Sequence, residues 1–286
     1  DGLLDVVFGA GWSATQASQI FYGGYAGFSA SANALLPSTS AQSTWVADVN
    51  HDGYRDVLLG NYQDASNVQA TNSYLYWGSA TGYSASNRAL LPTNGAFGVS
   101  VADLNQDGFE DVVVSCNTNG TSTDTDSFVY WGSVSGFSTA NRAGLPTRGA
   151  RGHAIVDLDG DGYLDLVFGN DAASDGASYV YWGSGSGFST ANRNAIGGAT
   201  GGAFSAAASD LDLDGRQDLV LSPYMSPPST EVTSEWIYWG SDSGFDSRPA
   251  TTLPALASTN VIVPGSPLCN ANSGFGSMPC DYGSFL

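Results

Sequence analysis

Asp157-Leu158-Asp159-Gly160-Asp161-Gly162-Tyr163-Leu164-Asp165 decides the reading of this chain, because the same nine-residue pattern returns at Asp48–Asp56, Asp103–Asp111 and Asp210–Asp218. Oxygen side chains stand at position 1 (Asp48, Asp103, Asp157, Asp210), position 3 (Asn50, Asn105, Asp159, Asp212) and position 5 (Asp52, Asp107, Asp161, Asp214). Gly follows at position 6, a backbone carbonyl is available at position 7 (Tyr54, Phe109, Tyr163, Arg216), and a carboxylate closes the pattern at position 9 (Asp56, Asp111, Asp165, Asp218). An all-oxygen cage of this size suits a hard cation with 6 to 8 ligands, which points to calcium. The chain opens inside a fifth copy, with Asp1, Leu3 and Asp5 at positions 5, 7 and 9, so four complete sites and a partial fifth are expected.

An EF-hand would need a bidentate Glu at position 12 and flanking helices. Position 12 is instead Leu59, Val114, Phe168 or Leu221, and each loop leads into an apolar, β-branched run such as Val112-Val113-Val114. Such runs read as strands covered on both faces, so the loops connect β-strands.

A second marker keeps the same period: Tyr22-Gly23-Gly24, Tyr76-Trp77-Gly78, Tyr130-Trp131-Gly132, Tyr181-Trp182-Gly183 and Tyr238-Trp239-Gly240, each followed by a Gly-aromatic pair from Gly27-Phe28 to Gly244-Phe245. Self-similarity at about 50 residues, with room for four strands per repeat, is the signature of propeller blades. The expected strands of one repeat are 44–48, 56–60, 73–78 and a fourth near 88–92. The expected fold is therefore an all-β, five-bladed β-propeller of four antiparallel strands per blade, with a calcium loop between the first and second strands. Blades are placed at 1–37 plus 259–263, 44–92, 97–146, 151–197 and 203–254, making a propeller domain over 1–264 and a non-repeat tail over 265–286. The β-branched run Thr259-Asn260-Val261-Ile262-Val263 is expected to pair beside residues 4–8 and complete the first blade.

These loops and the strand frame around them resemble the FG-GAP or VCBS repeat proteins, a family that includes the integrin alpha-subunit propellers and several fungal and bacterial lectins. The resemblance covers residues 1–254 and implies a calcium-binding, non-catalytic propeller. Two departures stand out: five repeats where seven blades are common, and no segment matching the integrin ligand-binding partner domain.

Composition narrows the function classes. Formal charge is −19, and all 8 basic residues are Arg. Sixteen of the 24 aspartates lie in the five loop copies, so most of the acidity is ligand chemistry. The lack of a basic stripe disfavours a nucleic-acid partner, and no run approaches the ~20 apolar residues of a membrane span. Unscreened carboxylates repel, so the fold should depend on calcium at levels found in extracellular fluids, which places the chain outside the cell or at its surface. The chain lacks an initiator Met and a signal peptide, and it reads as a processed or partial polypeptide.

The two histidines, His51 in a loop and His153 in an inner strand, assemble no nucleophile or base constellation, and the paired carboxylates belong to the cation loops. Cys269 and Cys280 bracket a Gly- and Ser-rich segment suited to a disulfide, whereas Cys116 reads as a buried free thiol. Asn119-Gly120-Thr121 is a glycosylation sequon. The connections between second and third strands vary most and lie on the rim opposite the cation loops. They carry Trp12, Tyr62, Asp64, Asp171, Asp175 and Tyr224, with Arg148 and Arg151 on inter-blade links of the same rim. They are either ordinary polar loops or a recognition surface. The recurring Trp77, Trp131, Trp182 and Trp239 read as blade packing, and Arg88, Arg142 and Arg193 as fasteners of the outer strand. Three functions fit: a structural or adhesive module with extracellular protein partners or self-assembly, a calcium-stabilised lectin binding glycans, or an accessory domain of a larger secreted enzyme.

Overall fold

The computed structural model describes residues 3–13, 15–29, 33–171, 177–197, 202–223, 233–241, 244–245 and 251–255. Five antiparallel sheets follow one another along the chain, each a meander whose strands pair in sequence order. The first holds β1 (Val6–Phe8), β2 (Ser18–Phe21) and β3 (Asn33–Leu36). The second holds β4 (Ala41–Ala47), β5 (Asp56–Asn61), β6 (Ala70–Tyr76) and β7 (Arg88–Asn94). The third holds β8 (Ala96–Ala102), β9 (Asp111–Cys116), β10 (Asp124–Tyr130) and β11 (Arg142–Arg148). The fourth holds β12 (Ala150–Val156), β13 (Asp165–Asn170), β14 (Ser178–Tyr181) and β15 (Arg193–Ile196). The fifth holds β16 (Ala203–Ser209), β17 (Asp218–Pro223), β18 (Thr233–Tyr238) and β19 (Thr251–Ala255).

Each acidic nonapeptide joins the first strand of its sheet to the second, as its spacing implies. The strands run one to three residues longer than the apolar runs suggest, because their polar ends continue the ladders toward the far rim. The fourth strand expected for the first blade, and both Cys269 and Cys280, lie outside the described residues.

Alternation within the second strands explains how the sheets stack. Side chains of a strand point to opposite faces with period 2. In β5, Val57 and Leu59 pack with Ile20 and Leu36 of the first sheet, while Leu58 packs with Val99 and Val112 of the third. In β9, Val112 and Val114 face the second sheet and Val113 faces Leu166 and Phe168 of the fourth. In β13, Val167 faces Leu219 and Leu221 of the fifth. The core is thus a series of apolar layers between consecutive sheets, and each fully buried Val or Leu contributes about 1.5–3 kcal/mol. Outermost strands β7 and β11 alternate buried and exposed residues, as strands with one wet face do.

The periodic side chains are structural, as read from the sequence. Arg88, Arg142 and Arg193 donate to the carbonyls of Pro37, Pro92 and Pro146 in the preceding repeat, at 3.3, 3.0 and 3.2 Å. Their guanidinium groups lie 3.9 to 4.0 Å from the ring centroids of Tyr74, Phe128 and Tyr179. Trp77 stacks on Phe137 and Trp131 on Phe188, each Trp on the Gly-aromatic pair of the next repeat. Cys116 is a buried free thiol, and burial pushes its pKa up to about 12.

A polar pin also joins the third and fourth sheets. His153 on β12 is fully buried, with Nε2 at 2.6 Å from Ser100 Oγ and Nδ1 at 2.7 Å from Ser115 Oγ. A neutral imidazole satisfies both hydroxyls, donating through one nitrogen and accepting through the other. Loss of solvation lowers its pKa from 6.5 to about 3. The unfolded chain therefore binds a proton that the folded chain refuses, so this group's stability is complete above pH 6.5 and is lost as pH falls toward 3. The expected loss is about 1.4 kcal/mol per pH unit in that window. Denaturant titrations at several pH values should give His153→Gln a shallower acid slope than the parent; equal slopes would remove His153 from the account.

Candidate metal centres

Each loop is shaped by its own amides. In the second sheet, the Asp48 carboxylate accepts from the N–H of Asp52 (3.0 Å) and of Gly53 (2.9 Å), Asn50 Oδ1 accepts from Asp52 (3.1 Å), and Asp52 Oδ1 accepts from Tyr54 (2.9 Å). The same bonds recur in the third and fifth sheets. In the fourth, Gly160 rather than Asp161 donates to Asp157 Oδ1. Two residues per loop are left-handed: the Gly at position 6, with φ between 87° and 92°, and position 4, where His51, Gln106, Gly160 and Leu213 have φ of 57°, 59°, 74° and 63°. This double reversal curls the loop so that the side chains of positions 1, 3 and 5 accept from its own amides. The sequence signals the first reversal through Gly; the second falls on three side-chain-bearing residues and leaves no such mark.

Position 9 is built differently, and it unites the two sequence markers. Asp56, Asp111, Asp165 and Asp218 are 0–1% exposed. One oxygen of each accepts the N–H of position 2, at 2.7–2.9 Å. The other accepts the N–H of the marker glycine, Gly78, Gly132, Gly183 or Gly240, at 2.7–2.8 Å. The marker must be Gly because a Cβ would stand 2.2–2.4 Å from the carbonyl oxygen of position 8. Asp5 accepts from Gly23 in the same way, so the described part of the partial copy keeps this joint; Asp1 lies outside the described residues, and Leu3 is at their start.

Burial pushes Asp165 up to about 7 and Asp111 up to about 6, against the pull of these two amides and with a further push from neighbouring loop carboxylates. Asp56 is raised for the same reasons. In the fourth sheet one oxygen each of Asp157, Asp159 and Asp165 lie within 4.8 Å of one another, as do those of Asp210, Asp212 and Asp218 in the fifth. Three carboxylates this close are mutually repulsive without a cation, and an all-oxygen set of this spacing fits calcium. In the fifth sheet Arg216 also reaches Asp214 at 3.0 Å, where the other loops carry Tyr or Phe at position 7. Neighbouring loops touch: His51 lies 3.7 Å from Glu110, and Gln106 donates to the Gly162 carbonyl.

At the opposite ends of the first strands the structure gathers only some of the residues that sequence marks there. Trp12 and Tyr62 have ring centroids 5.4 Å apart, and both contact Phe97, at 5.9 and 5.1 Å. The Arg151 guanidinium lies 4.7 Å from Phe97 and 4.9 Å from Phe204, and pairs with Asp171 at 2.7 Å. Arg151 belongs to β12 and not to an inter-blade link, because the link before it shrinks to Gly149. Asp64 accepts from the N–H groups of Ser66 and Val68 and so closes its own turn. Arg148 ends β11, near Asp124 at 3.6 Å. Asp175 and Tyr224 lie outside the described residues. Phe97 and Phe204 read in sequence as ordinary inner-strand apolars. Asn119 sits in the connection after β9, where its Oδ1 accepts from Thr121 and Ser122.

A family model described as FG-GAP-like repeat matches residues 48–114 and 157–221. Integrin alpha-IIb of Mus musculus is 30% identical over 169 residues, covering 50% of this chain and 16% of the relative. Integrin alpha-3 of Cricetulus griseus is 29% identical over 143 residues (44% of this chain, 13% of the relative), and integrin alpha-7 of Homo sapiens 30% over 149 (47% and 12%). The matched part thus spans 16% or less of these relatives' own length.

Proposed function

We propose that this chain, an FG-GAP-like repeat protein similar over about half its length to integrin alpha subunits, is a calcium-stabilised, non-catalytic β-propeller of five blades that serves as an adhesive module outside the cell or at its surface. Extracellular proteins are its partners. The observation that carries this reading is the convergence of three carboxylates in two of the loops, in a frame of hydrogen bonds that recurs in all four complete copies. Calcium held by positions 1, 3, 5 and 9 and the position 7 carbonyl would neutralise each cluster and lock the first strand to the second. The absence of catalysis is supported by His153: a Ser-His contact that is sealed from solvent cannot meet a substrate. No described helix is long and apolar enough to cross a membrane. Equilibrium dialysis should find four calcium ions per chain and three after Asp161→Ala; a count of zero in the parent would end this reading.

The four sites should differ. Calcium must displace the proton of Asp165, so affinity in the third complete loop is expected to fall about tenfold per pH unit below about 7. In the fourth complete loop Arg216 competes with the cation for Asp214, so this site should be the weakest at neutral pH. Arg216→Tyr should strengthen it several-fold in calorimetric titration, and an unchanged isotherm would clear the arginine.

Closure of the ring rests on residues 259–263 pairing beside β1. Deleting residues 259–286 should then destabilise the monomer or turn it into an oligomer; an equally stable monomer would refute intramolecular closure.

A further inference from the structure

Position 4 of the acidic loops carries side chains where its backbone favours Gly. The left-handed conformation suits Gly160, yet His51 and Gln106 hold it with φ of 57° and 59°. Both of these side chains reach the loop of the next sheet. His51 Nε2 lies 3.7 Å from Oε1 of Glu110, the residue before the buried Asp111. Gln106 Nε2 donates to the Gly162 carbonyl at 2.5 Å. That carbonyl and the N–H of Tyr163 belong to one planar peptide unit. The Tyr163 N–H holds Asp161 at position 5 (2.8 Å), and the Gly162 N–H holds Asp157 at position 1 (3.0 Å). A side chain of the third sheet thus fixes a peptide that sets two candidate ligands in the fourth.

The run of contacts stops one sheet later. Gly160 has no side chain to extend, and a cavity of about 490 Å³ is lined by Asp159 and Gly160 on one side and by Gly215, Arg216 and Gln217 of the fifth sheet's loop on the other. Leu213, at position 4 of that loop, is 86% exposed and has no polar group to reach further. The sheets are fastened elsewhere. At the ends of the first strands away from the loops, pairing with the second strands slips by a residue at Gln42, Phe97, Arg151 and Phe204. A bulge re-aims the side chain it carries, and here Arg151 lies against both Phe97 and Phe204, which ties the third, fourth and fifth sheets together. Communication between loops therefore runs through position 4 and not through tilting of the sheets.

We propose that position 4 couples the calcium sites of the second, third and fourth sheets, and that the fifth sheet's site fills independently. The inference rests on the calcium reading. Gln106 stands between Asn105 and Asp107, so ordering of that loop on calcium fixes its backbone and presents the Gly162–Tyr163 peptide already oriented for the next ion. By reciprocity, an ion in the fourth sheet's loop favours one in the third. Gln106 is a positioning residue and not a ligand. One exposed hydrogen bond carries the effect, so the coupling is about threefold in affinity.

The test follows the amides of Gly53, Gly108, Gly162 and Gly215, one per loop, by nitrogen–proton NMR of the full chain through a calcium titration. Gln106→Gly, which suits the left-handed backbone, should move the Gly162 midpoint to about threefold higher calcium, leave Gly215 in place and keep four ions per chain. Asp107→Ala, which disables the third sheet's loop, should move Gly162 by the same factor and add nothing on top of Gln106→Gly. His51→Gly should shift Gly108 in the same sense. A Gly162 midpoint that neither variant moves, or a Gly215 midpoint that moves with them, would overturn the coupling and leave the calcium reading intact. Amides that ignore calcium in the parent would end both.

Discussion

Excess chelator should lower the melting temperature of this protein by roughly 20 °C. A site held at ~100 times its dissociation constant adds about 2.7 kcal/mol to the folded state, and four such sites add about 11 kcal/mol. Removing the ions also restores repulsion within each loop. Asp157, Asp159 and Asp165 crowd within 4.8 Å, and Asp165 is buried where a charge is poorly solvated. Calorimetric scans with and without chelator check this, and re-addition of calcium should recover the original transition. In the chelated form, acidification from pH 7 toward 4 should partly restore stability through Asp111 and Asp165. Their folded pKa values are raised, so the folded state binds more protons than the unfolded one in that window. A melt indifferent to chelator would mean that the loops are held by their amides alone.

The second large effect is expected at the marker glycine. Gly132→Ala places a Cβ 2.2 Å from the Glu110 carbonyl oxygen and 3.0 Å from its carbon, both backbone atoms that cannot swing aside. Either the turn after β10 or the end of the acidic loop must move, and with it the N–H that Gly132 donates to Asp111 at 2.8 Å. A buried carboxylate then loses one of its two amide partners. The expected cost is about 4 kcal/mol or more, at the top of the range for single substitutions. Calcium stoichiometry should fall by one. Denaturant titration checks the cost, with Ser135→Ala on the neighbouring exposed turn as a control near zero. A cost under about 1 kcal/mol would show that the joint between loop and marker is slack.

Much of this architecture is legible in the sequence because its elements are local and repeated. The loop needs oxygen at alternate positions and Gly at position 6, and the strands beside it need apolar residues on both faces; both signals lie within twelve residues of one another. The joint between Asp111 and Gly132 spans 21 residues, so the two markers are visible separately while their hydrogen bond is not. His153 likewise shows as an inner-strand residue, and only packing of the fourth sheet on the third brings it to Ser100 and Ser115. At the far pole the sequence finds Trp12 and Tyr62 as loop aromatics. It misses Phe97 and Phe204 and misplaces Arg151, because a bulge changes where a side chain points without changing its residue type. A faint signal exists: each bulged residue lies between Ala and a Gly or Ser, at Ala41-Gln42-Ser43, Ala96-Phe97-Gly98, Ala150-Arg151-Gly152 and Ala203-Phe204-Ser205.

The repeated cage is the centre of this account, and one measurement addresses it most directly. Crystals grown in calcium and measured at a long X-ray wavelength should show four anomalous peaks, each enclosed by the side-chain oxygens of positions 1, 3, 5 and 9 of one complete loop. The peak in the loop from Asp210 to Asp218 should be the first to fade as calcium is lowered. Loops that keep the described backbone in saturating calcium, with no anomalous peak among their carboxylates, would contradict the account.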